Sequence, residues 1–165
     1  MARIFISIGS NTEREHYVRA GVLSLQQYFG QLQLSRVYES EAVGFNGDAF
    51  YNLVAVTDTE LSIADCVLVL KKIEDSHGRI RGAEKFCGRT LDLDLLTYDQ
   101  VICRQPIVLP RGEITENAFV LWPMAELAPN EIHPQNGLSY ARLWQDYPKN
   151  KQKIWPVPFN WSESN

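Results

Sequence analysis

The chain has 165 residues, a net charge of −4, 45% hydrophobic and 22% charged residues, the balance expected of one globular domain spanning 1–165. No apolar run approaches the ~20 residues of a membrane helix, and the mild acidity argues against a general nucleic-acid binder. The three cysteines, Cys66, Cys87 and Cys103, form no CxxC pair and suggest neither a zinc site nor a disulfide framework.

The N-terminus, MARIFISIGSN, enters an alternating strand at once and lacks a signal-peptide pattern, so a reducing cytoplasm is the expected setting. Ile4, Ile6 and Ile8 alternate with Arg3, Phe5 and Ser7, which predicts the first strand. Thr12 and Glu15 have the spacing of a capping box, and Val18, Val22, Leu25 and Phe29 then recur at helical intervals until Gly30. Residues 32–38 read as a second strand and 50–57 as a third, with a loop carrying two glycines over 40–49. Ser62 is placed to cap a second helix whose stripe is Ile63, Cys66, Val67, Leu70 and Ile73, ending at Gly78.

The segment from Arg89 to Leu95, RTLDLDL, has a period of two. Leu91, Leu93 and Leu95 fall on one face of a fourth strand, with Asp92 and Asp94 on the other. Two carboxylates about 6.5–7 Å apart along a strand repel, and aspartate is disfavoured in strands. A divalent cation would offset both costs, because hard cations prefer carboxylate oxygens. The preceding loop, residues 78–89, carries Arg79, Arg81, Lys85 and Arg89 against a single Glu84, inside an acidic chain. Acidic pair and cationic loop together suit a nucleoside triphosphate with Mg²⁺. The glycines of that loop and its mutually repelling cations predict a segment that orders only around phosphate.

The order β-α-β-β-α-β predicts an α+β, ferredoxin-like sandwich with an antiparallel sheet and helices on one face. The other face is left for a site or for C-terminal additions. These comprise a proline-punctuated stretch from 101, helical pieces over 119–127 and 138–145, and an apolar tail, IWPVPFNW, expected to pack on the body. On the third strand Phe50 and Asn52 share a face. An aromatic ring beside an amide suits a flat heterocycle, by stacking and by edge hydrogen bonds; a core Phe50 with Asn52 capping a turn is the plainer alternative.

These features together resemble the 6-hydroxymethyl-7,8-dihydropterin pyrophosphokinase family of folate biosynthesis. The resemblance is carried by Ile8-Gly9-Ser10-Asn11, Tyr51-Asn52, Ile73-Glu74, Gly78-Arg79-Ile80-Arg81, RTLDLDLL from Arg89, and FVLWPMAELAP from Phe119. It implies transfer of pyrophosphate from ATP to the pterin hydroxymethyl oxygen, with release of AMP. It implies two Mg²⁺ ions held by Asp92 and Asp94, and Arg79, Arg81 and Arg89 acting on the phosphates. Pterin would lie between Phe50 and Phe119, with Asn52 on its edge and the backbone near Ala42 and Val43 completing its pocket. Lys71, Glu74, Leu95 and Arg111 would join Arg79 and Arg89 around ATP. No nucleic-acid, membrane or obligate protein partner is expected.

The sequence departs from the family pattern at several positions. Arg111 stands where histidine is usual after Leu109-Pro110, and Asn117 where arginine is usual. Phe86 and Gly88 replace tryptophan and proline, Ala42 a common proline, and Phe50 a frequent tyrosine. Asn117 favours one alternative, a degenerate paralogue that binds pterin or nucleotide without efficient turnover, while the retained Asp92, Asp94 and Arg89 argue against it. Two others are weaker. An RNA-recognition module would need an aromatic RNP strand that is absent here, and a DxD nucleotide-sugar transferase would need a second substrate domain.

Overall fold

The structure is a computed structural model that describes residues 1–40, 49–78 and 90–162. Its elements in chain order are β1 (Ala2–Ser10), α1 (Arg14–Phe29), β2 (Gln33–Leu34), β3 (Val37–Ser40), β4 (Phe50–Thr59), α2 (Ile63–Ser76), β5 (Asp92–Tyr98), α3 (Glu113–Glu116), α4 (Ala118–Leu127), α5 (Tyr140–Asp146) and β6 (Ile154–Val157). The strands form an antiparallel sheet in the order β5-β1-β4-β3-β6, with β2 also paired to β4. Among the described residues no helix is long and apolar enough to cross a membrane.

Alternation along the strands builds two cores. Ile4, Ile6, Ile8, Leu53, Ala55, Leu91, Leu93 and Leu95 face α1 and α2, meeting Val18, Val22, Leu25, Cys66, Leu70 and Ile73. Phe5, Val54, Val56 and Leu96 face the opposite side and pack under Ile114, Val120, Leu121, Met124 and Tyr140. Helices therefore cover both faces of the sheet, not one. The second layer, α3 to α5, is the C-terminal addition. It shields only part of its face, and the uncovered part becomes the cleft described below.

Three local readings differ from the sequence pattern. Helix α1 begins one residue later than a Thr12 cap requires: Glu13 occupies the cap position at φ 44° and makes no side-chain cap bond. Ser10 is responsible, because its hydroxyl donates to the Thr12 carbonyl (3.0 Å) and draws Thr12 into the turn. The predicted second strand is broken into β2 and β3 by a bulge. Leu34 lies opposite Ala55 and Tyr38 opposite Asn52, so four steps answer three. The Ser35 hydroxyl accepts from the Val54 N–H (3.0 Å) and keeps the ladder bonded across the break. The tail does more than pack: Ile154–Val157 joins the sheet as an outer strand on β3. Ser62 caps α2 as expected, accepting from the Asp65 N–H at 3.1 Å.

The bulge is pinned from above by α4. Glu126 accepts from the Arg36 N–H (2.8 Å), from Arg36 Nε (3.0 Å) and from the Tyr38 hydroxyl. Burial alone would raise the Glu126 pKa, but the bonds from Tyr38 and Arg36 outweigh it and hold the carboxyl below its ordinary range. A depressed carboxyl contributes stability above its unfolded pKa and loses it as pH falls through the folded value. Glu126→Gln should therefore lower stability near pH 7 by about 1 kcal/mol. The difference from the parent should shrink as pH drops below the ordinary glutamate range, as followed by urea denaturation at several pH values.

Candidate active site

Strand β5 places Asp92 opposite Gly9 and Asp94 opposite Ser7, and β1 in turn places Gly9 opposite Asn52. All of these lie on the face that α3 to α5 leave partly bare. Phe50 shares it, two residues from Asn52 on β4. Phe119, in the first turn of α4, comes in from the covering layer. Ser7, Gly9, Ser40, Phe50, Asn52 and Phe119 line a cleft of about 230 Å³ that Asp92 and Asp94 close on one side.

The floor of this cleft is shaped by two constraints. Asn52 is 7% exposed, and its amide donates to the Ser40 hydroxyl at 3.0 Å, which fixes the amide plane. A Cβ on Gly9 would stand 2.9 Å from Asn52 Oδ1, closer than real contacts allow. Only glycine leaves the amide oxygen in place at that point of the strand. Phe50 and Asn52 thus lie at a cleft, not in a packed core or a turn.

A second cleft, of about 300 Å³, lies around the outer edge of β5 and is lined by Val67, Lys71, Glu74, Leu95, Ile107 and Arg111, again with Asp92 and Asp94. The carboxylate pair is therefore the seam between two spaces. The bare edge of β5 is partly satisfied by its neighbours. Glu74 Oε2 accepts the outward Leu93 N–H at 2.7 Å, and the Arg111 N–H donates to the Leu96 carbonyl at 3.0 Å. Arg111 turns its guanidinium inward, bonded to Glu113 at 2.8 Å and standing 3.8 Å from Asp94. Asn117 is engaged elsewhere, where its Oδ1 accepts from Gln152 Nε2 at 3.0 Å.

Desolvation raises the Asp94 pKa above the ordinary aspartate value. Arg111 opposes the rise, while Asp92, Glu74 and Glu113 reinforce it. A bound cation would offset both the desolvation and the nearby negative charge. Among the described residues no group of three or more His, Cys, Asp or Glu gathers. Mg²⁺ does not need one, since it commonly takes one or two carboxylates and completes its shell with substrate phosphates and water. The donor chemistry of Asp92 and Asp94 fits that ion.

Of the residues predicted from sequence, the structure brings Phe50, Asn52 and Phe119 to one cleft and Lys71, Glu74, Leu95 and Arg111 to the other, with Asp92 and Asp94 between. Ala42, Val43, Arg79, Arg81 and Arg89, and the loop expected to order around phosphate, lie outside the described residues. Sequence reasoning missed Ser7, Gly9 and Ser40 as cleft-forming positions and Glu113 as the partner of Arg111. Ser7 and Gly9 were detectable in principle: they are the small residues of β1 on the face that its isoleucines avoid.

The family model for 7,8-dihydro-6-hydroxymethylpterin-pyrophosphokinase (HPPK) matches residues 5–129. The chain belongs to this family. A 2-amino-4-hydroxy-6-hydroxymethyldihydropteridine pyrophosphokinase from Aquifex aeolicus is 34% identical over 137 residues, covering 81% of this chain and 85% of that protein. The enzyme of the same name from Pseudomonas aeruginosa is 32% identical over 133 residues, covering 78% and 82%. Wild-type HPPK-DHPS from Plasmodium falciparum superposes with a TM-score of 0.69 at 13% identity, over 87% of this chain and 44% of that one. That likeness shows the shared fold, and the chain spans less than half of that longer protein. As an HPPK member the chain is a pyrophosphokinase of folate biosynthesis, with ATP as co-substrate.

The electrostatics of the seam generate a sign-specific prediction. A carboxyl whose folded pKa is raised favours folding below its unfolded pKa, and that advantage is lost as pH rises through the folded value. At neutral pH, with divalent ions chelated, Asp94→Asn should raise the Tm. The gain should vanish as pH falls below the ordinary aspartate range, where the parent side chain is also neutral. Differential scanning calorimetry across pH checks this; a lower Tm for Asp94→Asn at pH 7 would contradict it.

Proposed function

We propose that the two clefts are the pterin and nucleotide sites of a single-domain enzyme, meeting at Asp92 and Asp94. The observation that carries this reading is the shared wall: one carboxylate pair borders both spaces, so the two substrates' reacting ends converge on it. In the cleft of Phe50, Asn52 and Phe119, 6-hydroxymethyl-7,8-dihydropterin stacks between the rings and presents its edge to the Asn52 amide. In the cleft along β5, ATP lies beside Lys71, Glu74 and Leu95, with Arg111 reaching toward the phosphates.

Chemically, the hydroxymethyl oxygen attacks the β-phosphorus of ATP. The new O–P bond forms as the bridge to the α-phosphate breaks, AMP departs and the hydroxyl proton is lost to solvent. Asp92 and Asp94 would hold two Mg²⁺ ions, whose charge would offset that developing on the phosphates. Arg79, Arg81 and Arg89 carry cationic charge to the same phosphates, and Arg111 adds a permanent charge of long reach in place of a histidine. Little covalent work falls to the protein; positioning and charge compensation supply the rate. Among the described residues of the clefts nothing favours the degenerate alternative, since Arg111 stands near Asp94 and the pair itself is retained.

The direct test is incubation with MgATP and 6-hydroxymethyl-7,8-dihydropterin, following nucleotide by chromatography. AMP is the expected product, and ADP or no product would sink the reading. Asp92→Ala and Asp94→Ala should each lower kcat on the order of a hundredfold or more with circular dichroism unchanged.

A double dissociation separates the two clefts. Phe50→Ala should weaken pterin binding by about 1–3 kcal/mol, as for an aromatic platform under a base, and leave MgATP affinity near the parent's. Arg111→Ala should weaken MgATP about tenfold or more, the size of a lost charge-assisted contact, and spare the pterin. Isothermal titration with each ligand reads both; the reverse pattern would exchange or abolish the assignments.

A further inference from the structure

The HPPK match ends at residue 129, yet the segment beyond it touches both walls of the Phe50/Phe119 cleft. On one wall, helix α4 starts at Asn117 without a side-chain cap of its own, although first-turn N–H groups need acceptors. Gln152 supplies one from 34 residues away: its Oε1 accepts the Ala118 N–H at 2.7 Å. Its Nε2 donates to Asn117 Oδ1 at 3.0 Å. One amide thus grips two adjacent residues, and the next residue is Phe119. The Tyr147 hydroxyl adds a third hold by donating to the Glu116 carbonyl at 2.8 Å.

Two residues after Gln152 the same segment becomes β6. Ile154 pairs with Ser40 and Trp155 with Glu39, and the Trp155 indole donates to Glu39 Oε1 at 3.0 Å. Ser40 is the residue whose hydroxyl accepts from the Asn52 amide. A span of two residues therefore links the backbone that carries Phe119 to the strand edge that orients Asn52. Ile154 itself packs against the second core, which anchors the link.

We propose that Gln152 is a positioning residue for the pterin. By fixing the 117–118 peptide against β6 it sets the separation between Phe119 and the Phe50/Asn52 wall, and so the thickness of the flat ring system admitted. This rests on the reading of that cleft as the pterin site. Asn117 takes part as the acceptor of the Gln152 amide, a role an arginine cannot fill because it offers no acceptor. The position that departs from the family pattern is thus committed to the clamp.

The test uses the full chain. Gln152→Ala, which removes both hydrogen bonds of the clamp, should raise the KM and Kd for 6-hydroxymethyl-7,8-dihydropterin about fivefold, with kcat and the KM for MgATP near the parent's. Gln152→Glu, which keeps the acceptor for the Ala118 N–H and suits a helix N-terminus, should restore most of the affinity. In a Phe119→Ala background, Gln152→Ala should add nothing further to the pterin Kd, since coupled residues do not add. Trp155→Phe, which removes only the indole bond to Glu39, should move pterin affinity in the same direction and provides a second reading if Gln152→Ala lowers the Tm. Unchanged pterin affinity in Gln152→Ala, or an undiminished effect in the Phe119→Ala background, would overturn the proposal. Calorimetric pterin affinity does not depend on turnover. A parent that binds pterin but forms no AMP would therefore count against the pyrophosphokinase reading alone, and the clamp would stand or fall on the variants.

Discussion

Asp92 and Asp94 repel each other, and the chain keeps them on one strand face by burying Leu91, Leu93 and Leu95 on the other. Magnitudes show why this works. Full burial of a leucine contributes about 1.5–3 kcal/mol, so three outweigh the roughly 2 kcal/mol of repulsion between like charges about 7 Å apart at an effective dielectric near 20. A slip of one residue would bury both carboxylates and expose the leucines, so the register is strongly specified. Desolvation, reinforced by Asp92 and the neighbouring carboxylates against the pull of Arg111, raises the Asp94 pKa, and a cation at the seam of the two clefts would offset these costs.

Past Asp94 the strand is anchored from both sides. Between Phe5 and Ile6 the pairing with β5 shifts by one residue, and Leu96 turns into the core beneath α3 and α4 while Leu95 stays in the first. The bulge locks the end of the strand just beyond the carboxylates. The other side of the sheet uses the same device. The break between β2 and β3 presents Arg36 and Tyr38 to Glu126, which ties down the far end of α4. The near end, with Phe119, is held by Gln152. A site built from strand residues is thus closed by one helix secured at both ends.

The elements were legible where hydrophobic period decides the outcome: the β1 isoleucines, the α2 stripe and the β5 leucines all point inward as their spacing requires. The segregation of Asp92 and Asp94 to one face, and of Phe50 and Asn52 to another stretch of that face, follows from the same rule. Features set by long-range partners were not legible. The Thr12/Glu15 capping box failed because Ser10 claims the turn first. The β2–β3 break depends on the Ser35 hydroxyl replacing a ladder acceptor, which no local pattern signals. Strand β6 lies in a tail punctuated by Pro156 and Pro158, and proline is tolerated there because β6 lies at the edge of the sheet order. The inward turn of Arg111, which lies between elements, depends on Glu113 in α3 and Asp94 in β5.

In the proposed reading the carboxylate pair, through a bound cation, couples nucleotide to the seam while the pterin wall stands independently. Calorimetric titration of an ATP analogue with an uncleavable α–β bridge, with and without Mg²⁺, tests it on the parent and on an Asp92→Asn/Asp94→Asn double variant. Mg²⁺ should strengthen nucleotide binding to the parent, and the double variant should lose this dependence while still binding pterin. A double variant whose nucleotide affinity responds to Mg²⁺ as the parent's does would rule out this role for Asp92 and Asp94.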